Sequence, residues 1–329
     1  MATIEDVAKA ANVSMSTVSY VLSGKRTISA DTRLRVEQAI RKLGYRPHAG
    51  ARALAMSKTH IIGLVAPLRA GVDVNVILQF VAGIATRARE RDHDVLLLTQ
   101  DDADSIARAA QTSMVDALVV MDVESDDPRL ETLESVRQPV VLIGLPHDPR
   151  GLSCIDLDFE KVGQRAAEHL IEGGHRRIAL IGAPEEVRKR HTSYADRMLH
   201  GLSTACRAAD AEWTYQPTPS SGSGAAASVD AVLKRMPEVT ALMVHNEVAL
   251  PHVISHLQTL GLRVPEDISL IALAPGSVID ALARPVTGID LPAERIGRLA
   301  VDTVLGDDDA EVRLLQPVLT DRGTTRHLT

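Results

Sequence analysis

Residues 3–23 read TIEDVAKAANVSMSTVSYVLS, and the plan of the chain depends on how they fold. Ile4, Val7, Ala8 and Ala11 recur at three- and four-residue spacing. That makes one apolar face and predicts a helix over Ile4–Ala11. Thr3 can cap it, since its hydroxyl accepts a free backbone N–H, and Asp6 puts negative charge where the helix dipole favours it. Asn12 stands at the break and tolerates the left-handed backbone of a sharp turn. Ser14 caps a second helix running to Leu22, with Val18, Val21 and Leu22 inward and Met15, Ser16, Ser19 and Tyr20 outward. Two such helices match the DNA-reading helix-turn-helix. An ordinary helical hairpin inside a core has the same geometry.

Charge separates the two readings. The chain carries -7 over 329 residues, which argues against coating nucleic acid along its length. Residues 1–58 hold ten Lys and Arg against four Asp and Glu, a net of +6 that leaves -13 on the remainder. A basic head on an acidic body suits a protein that touches phosphate at one end. The length allows two or three domains. Aromatics are only 2%, so the core must be built from Ala, Val, Leu and Ile. Cys154 and Cys206 form no spacing motif and read as buried thiols. The chain enters a capped helix without a leader, and no apolar run approaches the ~20 residues of a membrane span. The expectation is a cytoplasmic protein with no membrane partner.

The head continues through GKRTISADTRLRVEQAIRKLGYRPHAGARALA. Ser29 caps a third helix over Ala30–Leu43, with Leu34, Val36, Ala39, Ile40 and Leu43 on its apolar faces, and Gly44 stops it. With residues 3–23 this stretch resembles the LacI/GalR family of transcriptional regulators. That pattern runs T-x-x-D-V-A, A-G-V-S-x-x-T-V-S, S-x-x-T-R, L-G-Y-x-P and A-x-x-L. It is met here by Thr3, Asp6-Val7-Ala8, Val13-Ser14, Thr17-Val18-Ser19, Ser29, Thr32-Arg33, Leu43-Gly44-Tyr45, Pro47, Ala51 and Leu54.

The resemblance implies roles. Met15, Ser16 and Tyr20 stand where the family reads base edges, and Tyr20 departs from the Arg often found there. Ser14, Thr17, Ser19, Lys25, Arg33 and Arg35 are phosphate-contact candidates, which position without specifying. Residues 47–58 form a hinge whose helix is marginal alone. Ala51, Arg52 and Leu54 would enter the minor groove, Leu54 as the apolar wedge. His48 replaces the usual Asn.

From His60 onward short apolar runs alternate with amphipathic helices, which indicates parallel sheets covered on both sides. The expected fold is α/β: an all-helical head and hinge, then two doubly wound lobes of periplasmic-binding-protein type. The expected divisions are 1–46 for the DNA-binding head, 47–58 for the hinge and 59–329 for the effector-binding and dimerisation body. Lobe one spans about 59–155 plus a C-terminal return, and lobe two about 156–288, by the alternation of elements. Ligands in such folds bind beyond the carboxyl ends of strands. Asp101, Asp122, Arg197 (placed at the start of its helix) and Asn246 are the effector-binding candidates, with Glu247 a further acceptor. Gly144 and Ala274 stand where sugar-responsive members carry carboxylates.

The expectation is therefore a homodimeric repressor on a palindromic double-stranded DNA operator. A small-molecule effector, a sugar or sugar derivative, releases it; control by a non-sugar metabolite or a protein partner is the rival within regulators. An enzyme on a Rossmann-like body is disfavoured, because no nucleophile, cofactor fingerprint or metal set is present. His245, His252 and His256 lack the glutamate of a zinc motif. No cofactor is expected. The segment after LQPV is too short for an added heptad helix, which favours a dimer over a tetramer.

Overall fold

The computed structural model describes residues 2–23, 26–45, 58–69, 71–100, 102–112, 114–306 and 311–328. Gly24, Lys25, Asp101 and residues 46–57, including Ala51, Arg52 and Leu54, lie outside them.

Three helices make the head: α1 (Ile4–Ala11), α2 (Met15–Ser23) and α3 (Ala30–Leu43). Thr3 and Asp6 form a reciprocal capping box on α1, and Asn12 takes the left-handed turn at φ 52°. Val7, Val18 and Val36 are fully buried and meet between the helices, with Tyr45 packed against them. Leu34 and Leu43, expected on apolar faces of α3, are 51% and 37% exposed. A three-helix unit this small has too little interior to cover both faces of its last helix.

The body begins with β1 (Ile61–Val65), α4 (Val74–Glu90), β2 (Asp94–Leu98), α5 (Ala103–Gln111) and β3 (Ala117–Val120). It continues with α6 (Leu130–Ser135), β4 (Val140–Ile143) and β5 (Ser153–Leu157). Then come α7 (Phe159–Glu172), β6 (Arg177–Gly182), α8 (Glu185–Lys189), α9 (Ser193–Ala208) and β7 (Glu212–Pro217). After them run α10 (Gly222–Arg235), β8 (Ala241–Val244), α11 (Leu250–Thr259), β9 (Ser269–Ala274) and α12 (Gly276–Asp280). The chain closes with β10 (Gly288–Asp290), α13 (Ala293–Val304), β11 (Val312–Leu315) and β12 (Leu319–Thr320).

Two six-stranded sheets result, ordered β11-β5-β4-β3-β1-β2 and β12-β10-β9-β8-β6-β7. Every pairing is parallel except β10 with β12. The central strands are apolar on both faces, as β3 (ALVV) and β8 (ALMV) show by being buried throughout. The chain passes between lobes three times, after β5, β10 and β11. The second passage carries α13 back onto α4. Glycines set that approach: a Cβ on Gly83 would lie 2.1 Å from the Glu294 carbonyl oxygen, and one on Gly297 would lie 2.5 Å from that of Phe80.

Candidate effector cleft and DNA-reading head

Strand ends and helix starts from both lobes surround a cleft with about 970 Å³ of empty space, part of it open to solvent. That is a size usual for small-molecule sites. Lobe one contributes Pro67, Asp73, Phe80, Met121, Asp122 and Gly144; lobe two contributes Phe159, Tyr194, Ser220, His245, Asn246 and Glu247, with Asp156 at the join.

Asp122 and Asn246 therefore line the cleft as expected, and Glu247 joins them. Asp122 sits at φ 54°, an unusual backbone for a non-glycine residue. Its carboxylate is 3.2 Å from Arg69 and 3.4 Å from Arg190. Asn246 is largely committed to the fold. Its Nδ2 donates to the Thr218 carbonyl at 2.8 Å, and its Oδ1 accepts from Ala249 N at 3.0 Å. Arg197 does not itself line the cleft, and it lies one turn inside α9, which starts at Ser193. The hydroxyl-bearing stretch at 192–193 hid that earlier start. Its Nη1 donates to Asp156 Oδ2 at 2.8 Å and its Nη2 to the Leu157 carbonyl at 3.3 Å. Asp156 is thus the carboxylate Arg197 presents to the cleft. Burial pushes its pKa up to about 7 against the pull of that guanidinium.

Gly144 lines the cleft at φ 137°, and a Cβ there would sit 2.8 Å from that of Val123, so no side chain fits that place. Ala274 is fully buried in β9 and outside the cleft.

Three rings form the lobe-two wall. Phe159 and Tyr194 centroids are 5.4 Å apart, and Tyr194 meets His245 edge-on at 5.4 Å. His245 is 7% exposed and its imidazole makes no hydrogen bond to any described residue. Burial lowers its pKa to about 4, so the ring is neutral near pH 7. Burial also raises the Tyr194 phenol. The same effect, with the charge of Asp73 adding to it, lifts Glu247 to about 7.

Beside the cleft the lobes are clasped. Glu124 of lobe one and Thr192 of lobe two form an antiparallel bridge. Ser125 N donates to the His191 carbonyl at 2.8 Å and Ser193 N to that of Val123 at 3.0 Å. Ser125 Oγ donates to Asp196 Oδ2 at 2.9 Å. Within lobe one, Arg69 Nη1 donates to Glu124 Oε1 at 2.9 Å and steadies that side of the bridge. Thr192 and Ser193 are almost wholly buried, so the backbone bonds they make are shielded from water.

In the head, Met15 is 53% exposed, and Ser14, Ser16 and Arg33 are also exposed. Thr17, Ser19 and Tyr20 are half-buried. Ser14 caps α2 through Thr17 N at 3.1 Å. Arg35 Nη1 donates to the Ala11 carbonyl at 3.1 Å. Arg35 thus ties α3 to α1, which its place in sequence did not show.

A helix-turn-helix head on a two-lobed body with a cleft between the lobes defines a class: DNA-binding regulators that carry a small-molecule sensor. The family model for bacterial regulatory proteins of the lacI family matches residues 3–48, and that for periplasmic binding protein-like domains matches residues 167–325. A transcriptional regulator AglR of Rhizobium meliloti (strain 1021) is 30% identical over 93% of this chain and 89% of its own. A transcriptional repressor PurR of Aliivibrio fischeri (strain MJ11) is 31% identical over 98% of each. The solved CelR–cellobiose complex matches with a TM-score of 0.67 at 26% identity, over 98% of this chain and 100% of that one. A lac repressor dimer bound to operator and an anti-inducer matches with a TM-score of 0.82 at 24% identity, over 99% of each. The chain belongs to the LacI family of transcriptional regulators.

Proposed function

We propose that this regulator is a cytoplasmic homodimeric repressor that binds a palindromic operator and is released when a small carbohydrate closes its cleft. The cleft carries the reading: it is walled by both lobes, so a ligand there touches two bodies at once and can bias their relative position. The named relatives support it, since CelR was solved with cellobiose and the lac repressor as an operator-bound dimer. Lobe one leaves large apolar side chains exposed that a partner copy would cover. Val74 and Leu78 on α4, Leu97 on β2 and Met114 are each 46–55% exposed, which is unusual for large apolar side chains on one lobe.

In this reading Met15, Ser16 and Tyr20 read bases, while Ser14, Thr17, Ser19, Lys25 and Arg33 hold phosphates. The hinge residues Ala51, Arg52 and Leu54 enter the minor groove of the bent centre. Arg35 contributes by holding the head together. The body acts as a sensor and not as an enzyme. Gly144 and Ala274 favour a second reading of the effector as a non-sugar metabolite, because neither place supplies the carboxylate a sugar hydroxyl would use.

Operator selection from random DNA followed by thermal-shift screening of sugars and nucleosides tests both readings, since a ligand that binds the native state raises its melting temperature. A compound that raises it and frees the selected DNA supports the sensor role. If stabilising compounds leave DNA binding unchanged, the release mechanism is wrong.

A further inference from the structure

The charges of the cleft narrow what it can hold. Four carboxylates line it, from Asp73, Asp122, Asp156 and Glu247, and no Lys or Arg is among the described lining residues. Two of the four are neutralised from behind: Asp122 by Arg69 and Arg190, Asp156 by Arg197. The other two have no cation partner among the described residues. Asp73 caps α4 and accepts only from Asn75, through its backbone N at 2.8 Å and Nδ2 at 3.2 Å. Among the described residues the Glu247 carboxylate is paired only with its own backbone N–H. Asp73 belongs to the lobe-one wall and Glu247 to the lobe-two wall. His245, more than nine-tenths buried, lines the same space with an unpaired imidazole. An imidazole that no described residue hydrogen-bonds can offer a ligand a donor or an acceptor. The Phe159–Tyr194–His245 wall gives the ligand an apolar face to stack on.

We propose that the cleft selects an uncharged or cationic effector rich in hydrogen-bond donors, whose donors span Asp73 and Glu247, and that it rejects anions such as phosphorylated or carboxylated metabolites. Above pH 7, where Glu247 is ionised, an anion would meet two carboxylates that have no cation partner among the described residues, in a partly dry space where repulsion is strong. A hydroxyl or ammonium group bridging Asp73 and Glu247 would join the two lobes and relieve the repulsion between them. The inference rests on the cleft being the effector site, but its charge can be read without knowing the effector.

The experiment uses the full chain with Ser220→Cys, an exposed position on the cleft wall. Thr204→Cys, exposed on α9, serves as the reference. Cys154 and Cys206 are fully buried and give little background. Each variant is reacted with a trimethylammonium and a sulfonate methanethiosulfonate. The cation-to-anion rate ratio at the Ser220→Cys thiol should exceed that of the reference about threefold or more at low salt, and approach it at high salt. Asp73→Asn with Glu247→Gln should remove the excess. A ratio at or below the reference overturns the proposal, and an excess that survives both neutralising substitutions removes Asp73 and Glu247 from it. If the ratio behaves as expected but no small molecule stabilises the protein, the failure belongs to the sensor reading and not to the cleft charge.

Discussion

The guanidinium carbon of Arg26 lies 5.6 Å from the centre of the Tyr20 ring. Tyr20 is half-buried on α2, and this cation–π pair puts a positive charge next to the side chain proposed above to read a base. At an exposed site such a pair contributes about 0.5–1 kcal/mol. Its effect is therefore on recognition more than on stability. Tyr20→Arg should change the bases preferred within each half-site while leaving total DNA affinity within about tenfold, as expected when one direct contact is exchanged for another. Selection from random duplexes, compared between wild type and variant, reads this. A uniform loss of binding with an unchanged consensus would make Tyr20 a packing residue.

Breaking the pair between Arg197 and Asp156 should act on both stability and sensing. Their side chains are 15% and 6% exposed, so Arg197→Ala leaves Asp156 enclosed with no cation. Losing one partner of a buried pair costs roughly 3 kcal/mol. Urea unfolding should show that loss, and adding Asp156→Asn should restore part of it. Both variants should also lose the effector response while still binding selected DNA. A response that survives Arg197→Ala would detach this pair from the cleft.

The clasp gives a third test. Glu124→Ala with Ser125→Ala removes the Arg69 and Arg190 contacts to Glu124 and the Ser125 bond to Asp196, but keeps the backbone bridge. The lobes should then open further without ligand, raising the radius of gyration in small-angle scattering and weakening effector binding. Equal scattering profiles would show that the clasp does not hold the cleft closed.

Three buried groups give the stability a pH dependence. Asp156 and Glu247 have folded pKa values near 7, above those of the unfolded chain. Their stabilisation is complete below about pH 4 and is lost as pH rises through 7. His245, lowered to about 4, works the other way: its stabilisation is present above about pH 6.5 and lost as pH falls through 4. Between about 6.5 and 7.5 the two folded carboxylates lose their protons while the opposing titration of the unfolded His245 is ending, so the melting temperature should fall across that window. Asp73 shares the cleft with Glu247 and strengthens its share of the effect. Glu247→Gln should flatten the fall, and an identical slope in the variant would remove Glu247 as a cause.

The head was legible almost to the residue because its signals are local: Thr3, Asn12, Ser14, Ser29 and Gly44 each mark an end, and the predicted α1 and α3 coincide with the observed helices. The body's central strands announce themselves as apolar runs. β5 (SCIDL) shows no such run because Asp156 interrupts it, and that carboxylate is buried in a pair with Arg197, forty-one residues on. β7 (EWTYQP) shows none because it is an edge strand, half-buried along most of its length. Site residues followed the same division. Asp122 and Asn246 were visible at strand ends, whereas Asp156, Tyr194 and His245 come to line the cleft only when two lobes meet. The clasp had no sequence signal at all, since it joins two irregular segments about seventy residues apart.

The three passages between lobes have a consequence for synthesis on the ribosome. Lobe one is missing an edge strand until residues 312–315 pair with β5. Lobe two waits for still later residues: Thr324 exchanges hydrogen bonds with Leu270, and Leu328 N donates to the Gly173 carbonyl at 2.7 Å. The head, in contrast, is complete once Tyr45 has emerged. At 5–20 residues per second, roughly fifteen seconds or more separate a finished head from a finished body. A nascent chain therefore holds a folded head long before it holds a folded body, and if the protein acts as the proposed homodimer, that early head meets DNA alone.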